Sequence, residues 1–112
     1  MSDDELIAQL NDEFRQALGM GVLPGTVLVS PVLRNFGPHF VADVMLKLVA
    51  YDFAAEGNPS EWRRMGGIRT ELGLVGWRIW CYTDETREVE TDGSERSHYR
   101  VLRMAHESEL KS

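Results

Sequence analysis

The chain predicts a two-layer α+β domain in the order α-β-α-β-β-β, with a mainly antiparallel sheet and two helices packed on one face. Three patterns carry that expectation. Ile7, Leu10, Phe14, Ala17 and Leu18 recur at helical spacing, so 3–18 is an amphipathic helix. From Pro38 to about Tyr51 a second helix is apolar on nearly every side. From Met65 to Thr83 the period changes to two, the signature of strands.

Each element has its own local reason. Ser2 followed by Glu5 fits a capping box, and Asp3, Asp4 and Glu5 complement the positive end of the helix dipole. Gly19 and Gly21 supply the stop. Thr26–Ser30 is β-branched between Pro24-Gly25 and Pro31, which predicts one short strand. Pro38 suits the first turn of the second helix, whose only strongly polar residues, His39, Asp43 and Lys47, stand four apart. Such a helix is expected to be the most buried element, centred on Val44, Met45 and Leu48. Ala54–Ser60 is a loop. Strands follow at about 64–71 and 74–83, joined near Leu72-Gly73, and a fourth at Tyr99–Met104. Residues 84–97 are too polar to pack and are expected to form a mobile acidic loop, with 106–112 a frayed tail.

With 112 residues the chain is expected to be a single domain, 1–112, able to bury a core without staples. Cys81 is its only cysteine, which excludes an intrachain disulfide and a cysteine zinc cluster. No apolar run is long enough to span a bilayer, and MSDDEL lacks the basic start of a signal peptide. No membrane association and a cytoplasmic location are the resulting expectations. The formal net charge of −6 argues against direct binding of nucleic acid, yet the charge is unevenly spread. Residues 84–95, DETREVETDGSE, hold six acids and one arginine, whereas 62–80 hold Arg63, Arg64, Arg69 and Arg78 against Glu71 alone. One reading is a mixed solvated surface; the other is an acidic loop beside a basic sheet face.

Catalytic patterns are sparse. His39 and Asp43 could share a proton or hold a metal only if His98 or His106 arrived by folding, and a solvated stripe explains the pair without one. Cys81 lies on the same strand face as Trp77 and Ile79, where a cysteine behaves as a small hydrophobe. The glycines form no phosphate cradle. No catalytic, cofactor-binding or metal-binding residue is therefore assigned, and no cofactor is expected.

The strongest functional signal is the second side of the third strand. Val75, Trp77, Ile79 and Cys81 fall on one side; Arg78, Trp80 and Tyr82 fall on the other. Trp, Tyr and Arg concentrate binding energy at protein interfaces. Either a helix covers this side and the aromatics are core, or the side meets a partner. Trp62, Arg63 and Arg64 stand close in sequence, and Glu88, Glu90 and Asp92 of the acidic loop complete the expected partner-binding set.

Several blocks, LNDEFR (10–15), VLVSP (27–31), AYDF (50–53), Asn58-Pro59, WRIWCY (77–82) and RVLRMAHESE (100–109), stand in the order found in a small alphaproteobacterial family of unknown function. The chain resembles that family over nearly its whole length. The resemblance implies a setting on plasmids and other mobile elements but no activity. Where the family has an acidic-aromatic stretch after the Asn-Pro, this chain has SEWRRMGG (60–67), with arginines in place of carboxylates.

The expected function is that of a small acidic, non-enzymatic binding protein acting on a protein partner. One version is an inhibitor of a host defence nuclease complex, of anti-CRISPR or anti-restriction type, which would mask a nucleic-acid-handling groove; a homodimer is also compatible. The alternatives are a small enzyme using His39, Asp43 and His98, or a nucleic-acid-binding module using the Arg/Trp sheet face.

Overall fold

The computed structural model describes residues 2–110. Helix α1 (Asp3–Gln16) starts where expected, with the Ser2 hydroxyl accepting from the Glu5 amide at 3.2 Å. Strand β1 (Gly25–Val29) leads directly into a short helix α2 (Pro31–Asn35), and helix α3 (Pro38–Val49) follows. A 3₁₀ turn (Glu61–Arg63) precedes β2 (Met65–Thr70), β3 (Gly73–Tyr82) and β4 (Tyr99–His106), and a second 3₁₀ turn spans Glu107–Leu110.

The α+β class is as expected, but the sheet is mixed. Its order is β1-β4-β3-β2, with β1 parallel to β4 and the other two pairings antiparallel. The first strand thus lies beside the last, at an edge. Helix α2 is the element that sequence reading passed over. Pro31, read there only as the end of a strand, is the first residue of the helix, and Ser30 caps it by accepting from the Leu33 amide at 3.3 Å. The short helix buries Leu33.

One face of the sheet carries the core. Register places Leu102 opposite Ile79, Met104 opposite Trp77 and Gly66 opposite Trp77 from the other side. These side chains join Leu10 and Phe14 of α1, Leu33 of α2, and Val44 and Leu48 of α3 in one cluster, so all three helices pack on the same face. Two arginines are enclosed with them. Arg15 donates to the Leu48 carbonyl and to Asp12 and lies 5.3 Å from the Phe53 ring centroid. Arg100 donates to the Asn11 side chain at 3.0 Å and to the Gly93 carbonyl.

Three expectations need correction. Helix α3 is not the most buried element: only Val44 and Leu48 are fully enclosed, Met45 is half-buried and Leu46 is 70% exposed. A single layer of helices can bury only one stripe of each, and α3 shares that layer with α1 and α2. The stretch 106–110 is not a frayed tail. His106 is buried, its ring hydrogen-bonding to the Leu72 carbonyl and Ser108, while Glu109 accepts from the His106 amide and Ser30; residues 111–112 lie outside the described residues. Nor is 84–97 too polar to pack. Its 89–91 segment folds back along the free edge of β3, with Thr83 N–H donating to Val89 and Thr91 N–H to Cys81. The segment satisfies its own polar groups through tight turns, in which Asp84 accepts from Thr86 and Asp92 from Ser94. Gly93 is buried at φ 86°, and a Cβ there would stand 2.6 Å from Cys81 Sγ, so a glycine is required.

Candidate partner-binding face and its edge notch

The strand alternation that faces Trp77 and Ile79 toward the helices turns Arg78, Trp80 and Tyr82 to the opposite side of β3. Their cross-strand partners on β4 are Arg103, Val101 and Tyr99. Row by row, this outer face reads Leu28, Arg103, Arg78 and Met65, then Thr26, Val101 and Trp80, then Tyr99 and Tyr82. At the other end lie Gly67, Gly76 and Ala105, then Arg69 and Leu74. No strand residue on this face is acidic. Among the described residues no helix packs against it: Arg69 and Arg103 are exposed, and a Cβ built on Gly76 meets nothing within 4 Å. Val101, in the middle, is still only 4% exposed.

Two arginines directly opposite each other on neighbouring strands repel, and such pairs destabilise a sheet. Among the described residues neither Arg78 nor Arg103 has a carboxylate within 4.0 Å to offset this. Arg78 instead lies over the Trp80 ring, 5.0 Å from its centroid, and Arg87 of the acidic loop lies 5.7 Å from that of Tyr99. Stacking occupies the flat face of a guanidinium and leaves its in-plane N–H donors for another acceptor.

At the edge of this face is a notch of roughly 100 Å³, open to solvent. It arises because β3 outruns its neighbour. The last bond toward β2 runs from the Ile79 amide to the Arg64 carbonyl, and pairing resumes only at Cys81 with Thr91. Trp62, Arg64, Arg78, Trp80, Glu90 and Asp92 line the gap, which gathers six of the nine expected partner residues at one place. Asn11, Ile79, Cys81 and Thr91 complete it. Tyr82 sits farther along the outer face, beside Tyr99. Arg63 turns away to an ion pair with Asp12, and Glu88 is exposed on the loop without lining the notch.

The wall formed by Trp62 and Arg64 depends on an uncommon backbone. Trp62 and Arg63 both occupy the left-handed region, at φ 59° and 50°, a conformation that costs a side-chain-bearing residue roughly 1–2 kcal/mol. Helix α1 clamps the turn: Asn11 donates to the Trp62 carbonyl at 2.9 Å, the Trp62 indole donates to Asp4 at 2.9 Å, and Asp12 holds Arg63. Part of the acidity at the chain start therefore serves internal pairing. Arg64 lies over the Trp62 ring at 5.4 Å. The Nε atoms of Arg64 and Arg78 are buried without a hydrogen-bond partner among the described residues.

Electrostatics around the notch are mixed. The Asp92 carboxyl is held below its usual value, chiefly by the Ser94 amide, so it is ionised at neutral pH. Burial pushes the Cys81 thiol up, outweighing the nearby Arg100 guanidinium, and keeps the sulfur protonated and poorly nucleophilic. Behind the sulfur, burial lowers the Arg100 pKa, and its Nη1 lacks a partner among the described residues.

The residues of the enzyme alternative are not brought together. His39 and Asp43 are exposed on α3, where Asp43 pairs with Lys47 at 3.0 Å. His98 is buried in the acidic loop, against Glu95 and Thr91. No cluster of three metal-ligating side chains occurs among the described residues. Sequence reading missed Asn11, which lines the notch, and Arg100, which lies behind it and donates to Asn11. Asn11 had a visible signal, an amide within the apolar stripe of Ile7, Leu10 and Phe14. Arg100 had one too, since alternation puts it on the face of Leu102 and Met104. Comparison with protein-family models, curated proteins and solved structures finds no match for this chain. No helix of the described residues is long and apolar enough to cross a membrane.

Proposed function

We propose that this is a non-enzymatic binding protein that engages a protein partner through the outer face of its sheet and the adjoining acidic loop. The observation that carries the reading is the Arg78–Arg103 pair with no acid to offset it, beside the half-buried Trp80, Tyr82 and Tyr99, on a face free of acidic strand residues. A monomer that kept such a face only for itself would hold a repulsive pair and a half-buried aromatic patch with no return. A partner carrying acidic and apolar groups relieves both. The narrower version, inhibition of a host defence nuclease complex, draws on the mobile-element setting implied by the family resemblance and on the acidic balance of the chain.

The same arginines and aromatics also suit stacked bases and phosphates, which keeps single-stranded nucleic acid as the second reading. The net charge of −6 and the six acids bordering the face weigh for protein. The test compares wild type with Trp80→Ala. The wild type, as bait in the host that carries the gene, should capture a partner that binds it again when purified. Trp80→Ala should keep its melting temperature yet lose about 2 kcal/mol of binding, roughly thirtyfold in Kd. Unfolding of Trp80→Ala, or unchanged affinity, would defeat the reading. Saturable binding of an oligo-dT probe at physiological salt, lost in the same variant, would replace it with the nucleic-acid one.

A further inference from the structure

The edge notch has features of its own that the outer face does not require. Two arginines, Arg64 and Arg78, line it from different elements, one from the turn before β2 and one from β3. Each is stacked on an indole, Arg64 on Trp62 and Arg78 on Trp80. Among the described residues each has a buried Nε with no acceptor, and neither has a carboxylate within 4.0 Å. Leaving buried donors of charged groups without acceptors is costly, and proteins seldom do so idly. The strained Trp62–Arg63 backbone, clamped by three side chains of α1, holds one of the two guanidiniums in place.

We propose that the notch is a socket for a single carboxylate of the protein partner, held between the guanidinium forks of Arg64 and Arg78 with Trp62 and Trp80 as its walls. The inference deepens the protein-binding reading and rests on it. Carboxylate geometry matches the paired N–H donors of a guanidinium, and two such forks can share its two oxygens. Charge count selects against phosphate. Glu90 and Asp92 also line the notch, and two nearby carboxylates penalise a dianion about twice as much as a monoanion. Cys81, protonated because it is buried, adds no further negative charge. The carboxylate can come from an Asp or Glu side chain or from the end of the partner's chain, since both present the same group.

The experiment follows the arginine Nε–Hε signals of the ¹⁵N-labelled protein by NMR during titration with four probes: N-acetyl-glutamate amide, N-acetyl-alanine, N-acetyl-alanine amide and inorganic phosphate. The two carboxylate probes should give saturable shifts at Arg64 and Arg78. The neutral amide should give none, and the tighter of the two acids identifies a side-chain or chain-end source. Removing one charge-assisted contact should weaken the carboxylate about tenfold, in Arg64→Gln as well as in Arg78→Gln. Arg64 precedes β2 and only its backbone bonds to β3, so its side-chain variant remains informative if Arg78→Gln fails to fold. The proposal is overturned by shifts confined to Arg69 and Arg103, by the absence of saturation, or by phosphate binding more tightly than either acid. If the partner still binds wild type and is lost with Trp80→Ala while the carboxylates give no response, the socket fails and the binding face stands.

Discussion

At the scale of single residues, the arginines divide into three kinds. Arg15, Arg63 and Arg96 have carboxylate partners, at Asp12, Asp12 and Glu13. Arg100 is enclosed with neutral acceptors, and removing it would strand the Asn11 and Gly93 oxygens. Among the described residues Arg34, Arg64, Arg69, Arg78, Arg87 and Arg103 have no acid within 4.0 Å, and of these Arg64, Arg78 and Arg103 belong to the candidate site. This division makes a prediction with opposite signs. Replacing Arg103 by Gln removes the like charge facing Arg78, so the domain should gain a few tenths of a kcal/mol, at most about 1. The same change should weaken the partner complex. Chemical denaturation and binding measured on one preparation would check both, and a variant both less stable and equally good at binding would contradict the assignment. Sequence alone listed these arginines as one basic region; sorting them needed the register that sets Arg78 opposite Arg103 and the helix contacts that occupy Arg15 and Arg63.

At the scale of elements, the loop after β3 tests how far polarity forecasts order. Its six acids led to an expectation of uniform mobility, but composition does not report the hydrogen bonds a loop can make with a strand edge. Thr83 and Thr91 donate to Val89 and Cys81, while Gly93 closes over Arg100. Residues 84–88 make no comparable contact with the sheet edge. The expected outcome is therefore graded. The Thr83 and Thr91 amides should exchange with solvent at least about tenfold more slowly than those of 85–88, measured by NMR hydrogen exchange. Equal, fast exchange throughout would mean that the segment does not pair with β3. Elements whose signals are local were legible: the Ser2 cap, the α1 stripe and the alternation of β3. The elements that were missed depend on distant partners. β1 joins the sheet beside β4 across seventy residues of chain, a pairing that no local pattern encodes. Helix α2 was missed for a different reason, because the serine and proline that open it also end a strand.

At the scale of the whole molecule, the charges that pair internally give stability a definite dependence on pH. Glu13 is held below its ordinary value chiefly by its hydrogen bonds to Arg96, Asp84 by the Thr86 hydroxyl, and Asp92 by the Ser94 amide. A carboxyl whose folded pKa is depressed binds its proton more readily when unfolded. Its contribution is present above the unfolded value, 4.5 for Glu13 and 3.8 for the two aspartates, and is lost as pH falls through the folded value. Cys81 works at the other end. Its folded pKa lies above the ordinary 9.0, so its contribution is complete below that pH and disappears as the thiolate forms. The melting temperature should therefore be nearly flat between about pH 5 and pH 8.5 and fall on both sides. The acid limb should be shallow, because Glu13 and its partner Arg96 are both substantially exposed and solvent screens the pair. Glu13→Gln should flatten part of the acid limb and leave the alkaline one alone. Cys81→Ala should do the reverse, with a general loss from the vacated volume. Thermal melts of the three proteins across pH 3–10 decide it, and an alkaline limb that survives intact in Cys81→Ala would show that the buried thiol beside Arg100 does not set it.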